Sequence, residues 1–128
     1  MRKSGSALLI VIMVASVLMT LAVILTRIVY NYSVSEALAA EREKAFWLAE
    51  AGLEAGKVEL ARDPGWYTDL PSGPPVGQAG SLPSGSYQLV RVKDQNALSA
   101  VGRSGRTKVA LEITFSTGPF KTLSWSQI

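Results

Sequence analysis

Side chains able to do covalent or acid–base chemistry are sparse in this sequence. It contains no histidine and no cysteine, which removes the commonest general base near neutral pH and every thiol route. Its serines gather in Gly/Pro-rich turns with no base beside them, so no hydroxyl is set up as a nucleophile. Asp63, Asp69 and Asp94 lack the dense spacing of a calcium loop, and no metal or cofactor is expected. Glu41, Glu43, Glu50 and Glu54 fall on a charged helix and read as a solvated face. Arg91, Lys93, Arg103, Arg106 and Lys108 gather about adjacent turns. A basic cluster of that kind would suit DNA or acidic lipid, but a solvated hairpin edge that blunts unwanted strand pairing explains it more simply. Catalysis is not expected.

The distinctive residues are Gly5-Ser6, placed where a basic head carrying Arg2 and Lys3 meets an apolar run from Ala7 to Leu25. At about 1.5 Å per residue, those roughly 19 residues span about 29 Å, the thickness of a bilayer's hydrocarbon core. The run has no glycine, proline or charge, so a continuous helix satisfies its own backbone in lipid. Arg2 and Lys3 outweigh a single Arg27, which is soon diluted by Glu36, Glu41 and Glu43. The positive-inside rule therefore keeps the head cytoplasmic and turns residues 27 to 128 outward. Tyr30 and Tyr32 fall just past the run, where amphipathic rings suit the headgroup layer.

A cleaved secretory signal would have an apolar core of about 7 to 15 residues with a small-residue cut site close behind. Here the core is longer, and Ala37-Leu38-Ala39 lies too far downstream. A plain signal anchor accounts for hydrophobicity and charge, but it leaves unexplained both Gly5-Ser6 and the helical pattern that runs on without punctuation.

That pattern persists to about Arg62. Ala39, Phe46, Leu53 and Leu60 form a stripe at spacing seven, and strong helix formers dominate from Ser35 onward. Asp63-Pro64-Gly65 then stops the helix. One helix of about 55 residues, roughly 80 Å, is expected. Phe46, Leu53 and Leu60 should pack against a sheet, with Gly52 and Gly56 allowing close approach; a helix-dimer role for the two glycines is the weaker reading. Residues 63–86 concentrate prolines and glycines and read as an extended loop without a regular element, its start pinned to the helix by Trp66 and Tyr67. Beyond it, Tyr87–Lys93 and Ala97–Val101 read as strands around an Asp94-Gln95-Asn96 turn. A second turn is expected at Gly102-Arg103-Ser104-Gly105. In Lys108–Ser116, Val109, Leu111, Ile113 and Phe115 alternate with polar or small residues, so one face is buried. Gly118-Pro119 breaks that strand, and Phe120–Trp125 forms a short edge strand.

The expected fold is α+β: one long N-terminal helix, membrane-spanning in its first half, packed in its outer half against a small antiparallel β-sheet of three or four strands. With 128 residues, the outward part has room for one small domain. The net charge of +3 drops to +1 without Arg2 and Lys3, which gives no case for nucleic-acid binding. The segments are a basic leader at 1–5, a transmembrane half-helix at 6–26, an amphipathic half-helix at 27–62, the loop at 63–86 and the sheet at 87–128.

This order of parts resembles the type IV pilin-like family. The helix, from Gly5-Ser6-Ala7-Leu8-Leu9-Ile10 to Ala45-Phe46-Trp47-Leu48-Ala49-Glu50-Ala51-Gly52-Leu53-Glu54, is similar to the N-terminal region of PilX-type minor pilins. The resemblance implies cleavage between Gly5 and Ser6 by a membrane-embedded prepilin peptidase, N-methylation of Ser6, and packing of the N-terminal helix with other major and minor pilins. Major pilins of the family carry Glu at the fifth mature position, where this chain has Ile10. A carboxylate in lipid is expensive unless paired, and the family is held to pair it with a neighbour's terminal amine. A chain with Ile10 cannot make that pair, which suits a minor subunit and is shared with GspK-type minor pseudopilins; the large extra helical domain of that type has no counterpart here. The resemblance thus implies a minor subunit in the cytoplasmic membrane that initiates or caps a type IV pilus, or alternatively a minor pseudopilin of a type II secretion or DNA-uptake system. A single-pass anchored ligand-binding module is the reading from a different class.

Overall fold

The computed structural model describes residues 3–70, 77–116 and 121–128. Arg2, Pro71, Gly73, Pro74, Pro75, Gly118, Pro119 and Phe120 lie outside them. Helix α1 runs from Lys3 to Arg62, and five strands follow: β1 (Gln78–Leu82), β2 (Gly85–Val90), β3 (Ala97–Ser104), β4 (Thr107–Ser116) and β5 (Lys121–Gln127). The chain divides into two units, Met1–Ala37 and Leu38–Ile128, with α1 contributing to both.

In the first unit every described side chain from Gly5 to Ala37 is exposed. The hydroxyls of this apolar stretch bond back to the helix's own carbonyls: Ser16 to Met13 (2.8 Å), Thr20 to Ser16 (2.8 Å) and Thr26 to Ala22 (2.8 Å). Such back-bonding leaves no bare hydroxyl to desolvate, so the polar interruptions do not spoil the stretch for lipid. The helix is long and apolar enough to cross a membrane.

The second unit is α+β, as expected, with a sheet of five strands rather than three or four. The order is a simple antiparallel meander, β1-β2-β3-β4-β5. The additional strand is β1, which arises inside the stretch read as a structureless loop. Its sequence, Gln-Ala-Gly-Ser-Leu, carries no β-branched or aromatic residue. Pairing with β2 recruits it, and Gly80 leaves room for the Tyr87 ring, which an added Cβ would strike. The sheet therefore begins at residue 78, before the expected boundary at 87. At the other end, β5 is the expected edge strand, lengthened to Gln127.

Alternation in β4 came out as read: Val109, Leu111, Ile113 and Phe115 are buried. They meet Ala45, Ala49, Leu53 and Leu60 of α1, with Leu89, Leu98 and Ala100 completing the core. Leu53 and Leu60 thus act as expected. Phe46 does not reach the interior: it is only partly buried against the core and makes an edge contact with Trp125 at 6.2 Å between ring centres. Residues 45, 49, 53 and 60 face the sheet, and Phe46, about 100° round the helix from Ala45, lies at the margin. Ala39 is exposed along with every described residue from Gly5 to Ala40, before the covered part of the helix.

Close approach of helix and sheet depends on small residues. A Cβ on Gly52 would meet Tyr87 Cδ2 at 2.9 Å and the Ala100 Cβ at 3.2 Å; one on Gly56 would meet Leu98 Cδ2 at 2.7 Å. Both glycines serve packing against the sheet. Gly102, read as part of a turn, is instead a buried strand residue, where an added Cβ would strike the Ala45 carbonyl oxygen and the Ala49 nitrogen. The turn itself is only Gly105-Arg106, with Gly105 at φ 55°.

Helix α1 stops where Asp63-Pro64 forbids continuation, and Asp63 accepts a hydrogen bond from the Gly65 N–H at 2.9 Å. Trp66 packs on the core, whereas Tyr67 stays exposed beneath the Lys93 ammonium, 5.6 Å from its ring centre. The segment is held to the β2–β3 connection: the Thr68 and Asp69 N–H groups donate to the Arg91 carbonyl, and the Lys93 N–H donates to that of Asp69.

Candidate assembly surface on the apolar helix

Gly5, Ser6 and Ile10 all lie in the first turns of α1, solvent-facing, with Ile10 61% exposed. Lys3 opens the helix, and its leader companion Arg2 is outside the described residues. A Cβ on Gly5 would meet nothing within 4 Å, so no internal packing requires glycine at that position. Gly5 and Ser6 are thus joined by helical backbone.

Around and below it the helix presents apolar side chains in every direction, among them Leu8, Leu9, Val14, Leu18, Leu21 and Leu25. Shallow apolar depressions open between successive turns, one lined by Met13, Val14, Val17 and Leu18 and another by Met19, Thr20, Val23 and Ile24. Ridges and grooves of this kind are what a facing helix or lipid chains fill. A helix apolar all round has no solvent-compatible side, which distinguishes it from the outer part of α1, where one face is covered by sheet and Trp47 and Val58 remain exposed opposite.

Charged residues are distributed differently from the sequence reading. The basic cluster does not exist as one patch. Arg91 is buried and holds the junction between loop and sheet: its guanidinium donates to the carbonyls of Pro64 (3.1 Å), Gln95 (3.3 Å) and Trp66 and lies 5.1 Å from the Phe115 ring centre. Burial pushes it below its ordinary arginine range, and the nearby charges of Asp63 and Asp94 oppose that shift. Arg103 and Lys108 instead face each other across β3 and β4 near the Gly105-Arg106 turn, at the opposite end of those strands from Arg91.

Glu41 also departs from the solvated-face reading. Its carboxylate accepts from the Arg106 N–H (3.3 Å) and the Thr107 hydroxyl (3.4 Å), tying the β3–β4 hairpin to the helix. Glu54 does keep to the surface, paired with Lys57. The roles of Arg91 and Glu41 left little local trace in the sequence, since apart from the Gln95 carbonyl their partners lie more than 20 positions away. The arginine beside a strand's end and before a turn-forming Lys-Asp-Gln-Asn was the nearest available sign.

No protein-family model, curated protein or solved structure matches this chain.

Proposed function

We propose that this chain is a minor pilin-like subunit that acts in assembly, at initiation or at the tip, of a type IV pilus or related filament. Carrying this reading is one continuous helix that is apolar and exposed on all sides from Leu8 to Leu25, then covered on one face by an antiparallel sheet from Ala45 onward. The resemblance of residues 5–54 to PilX-type minor pilins adds the processing step. On this reading prepilin peptidase cuts between Gly5 and Ser6, Ser6 is N-methylated, and the mature chain waits in the bacterial cytoplasmic membrane with residues 27–128 outside. Assembly then proceeds by packing the exposed apolar helix against the corresponding helices of other pilins, which replaces lipid contacts with helix contacts. Ile10 leaves no carboxylate to neutralise and so frees the subunit from the pairing that a repeating subunit requires. A minor pseudopilin of a secretion or DNA-uptake system would use the same helix in the same way.

The test is the N-terminal mass of the protein recovered from its native membrane or surface fraction. A chain beginning at methylated Ser6 is expected, and Gly5→Leu should leave the full-length form in the membrane. Because Gly5 makes no packing contact, that variant reads processing rather than misfolding. A wild-type chain beginning at Met1 would leave a plain membrane anchor.

A further inference from the structure

The sheet face turned away from α1 carries a pair of cations with no ion pair among the described residues; Lys108, beyond the end of the β4–β5 pairing, guards an open edge, but Arg103 does not. Ser86, Arg103 and Lys108 are consecutive register partners across β2, β3 and β4, so their side chains stand in one row on one face. All three are exposed. Directly opposed like charges in an antiparallel sheet are unfavourable. Arg103 lies on an inner strand flanked by β2 and β4, so it cannot serve to discourage edge-to-edge pairing. Among the described residues the outer face carries one carboxylate, Glu112, which accepts from the Ser99 hydroxyl at 3.1 Å. It is four residues along β4 from Lys108, about 14 Å, farther than exposed charges act at physiological salt.

The adjoining row supplies a body-sized space. Ala79, Gln88 and Val101 are register partners in the next row, and the two rows line a concavity of about 390 Å³. That exceeds what a bare tetrahedral anion fills and lies within the range of small-ligand sites. Gln88 stands between Ala79 and Val101 in that row, and the Ser86 hydroxyl of the first row adds a hydrogen-bonding group.

We propose that this concavity binds a small phosphate or sulfate ester, with the oxyanion between Arg103 and Lys108. The planar Arg103 fork suits two oxygens of a tetrahedral anion, Lys108 adds a point charge, and the Ser86 hydroxyl donates a third contact. The organic body, of hexose size, lies along the row of Ala79, Gln88 and Val101. An anion in this position relieves the repulsion across the β3–β4 pair, so binding and sheet stability are coupled. This site is independent of the filament role.

The experiment is calorimetric titration of the full-length chain in neutral detergent micelles with glucose 6-phosphate, glucose 6-sulfate and glucose. Saturable binding of at least one ester is expected, at least about tenfold tighter than glucose and weakening as sodium chloride is raised. Arg103→Gln and Lys108→Gln should each weaken that binding about tenfold or more, while their melting temperatures in the absence of ligand stay equal to or above that of the wild type. Lys121→Gln, on the β5 edge, should bind as the wild type does. Esters that bind no tighter than glucose, or an equal loss in Lys121→Gln, would overturn the site.

Discussion

Two stretches of the same helix, Leu8–Leu25 and Ala45–Leu60, are built from much the same apolar residue types and meet opposite fates. In the first, leucines, isoleucines and valines are exposed on every side; Met19 reaches 76%. In the second, Leu48, Leu53 and Leu60 are each 2% exposed. The difference is not hydrophobicity but what interrupts it. Charges at Glu50, Glu54, Lys57 and Glu59 give the second stretch a side that tolerates water, so its other side must find a protein partner. The first stretch has no such side, and only lipid or further apolar helices suit it. Small residues sharpen the contrast: Ala45, Ala49, Gly52 and Gly56 let the helix backbone approach the sheet, while a Cβ on Gly5 would meet nothing within 4 Å.

The strongest way to break the covered stretch is to push the sheet off it. Gly102→Val places a Cβ against the Ala45 carbonyl and the Ala49 nitrogen, backbone atoms that cannot swing aside. The expected loss exceeds about 4 kcal/mol, the exceptional range for a single substitution, read as collapse of the denaturant midpoint of the micelle-bound chain. A pair of identical truncations tests the contrast most directly. Leu53→Ala removes a buried side chain and should lower stability by about 3 kcal/mol; Leu18→Ala, on the exposed stretch, should change the same midpoint by less than about 0.5 kcal/mol. Equal effects would mean that the first stretch also packs into a folded core. Among changes to the covered unit, the smallest effect is expected at Glu41→Ala, which loses two long hydrogen bonds to the hairpin. About 0.5 kcal/mol is expected, accompanied by faster amide exchange at Arg106 than at Gly80.

The sequence made parts of the second unit legible because they are written in short-range periodicity. Val109 to Phe115 alternate, Asp63-Pro64 ends the helix, and Gly52 and Gly56 fall on the face that meets the sheet. The even spacing of Ala39, Phe46, Leu53 and Leu60 was less informative: Leu53 and Leu60 are in the core, Phe46 packs at its margin, and Ala39 lies before the covered part of the helix begins. β1 was illegible because its residues have no preference for a strand, and pairing with β2 provides it. Gly102 read as a turn glycine for the same reason; nothing nearby in sequence announces that a helix crosses over it.

The candidate assembly surface is a property of composition. Its exposure, its uncharged length and the place of Gly5, Ser6 and Ile10 at its start follow from residues adjacent in the chain, since a helix bonds only within itself. What required the tertiary structure were the contacts between distant residues: Arg91 as the buried clasp of the loop, Glu41 on the hairpin, and Arg103 opposite Lys108 with Ser86 in the same row. A sheet's register decides which distant side chains share a face, and register depends on pairings between separate strands. By itself the sequence determined that one helix has a lipid-suited stretch and a sheet-suited stretch; only the folded sheet decided where the charges meet.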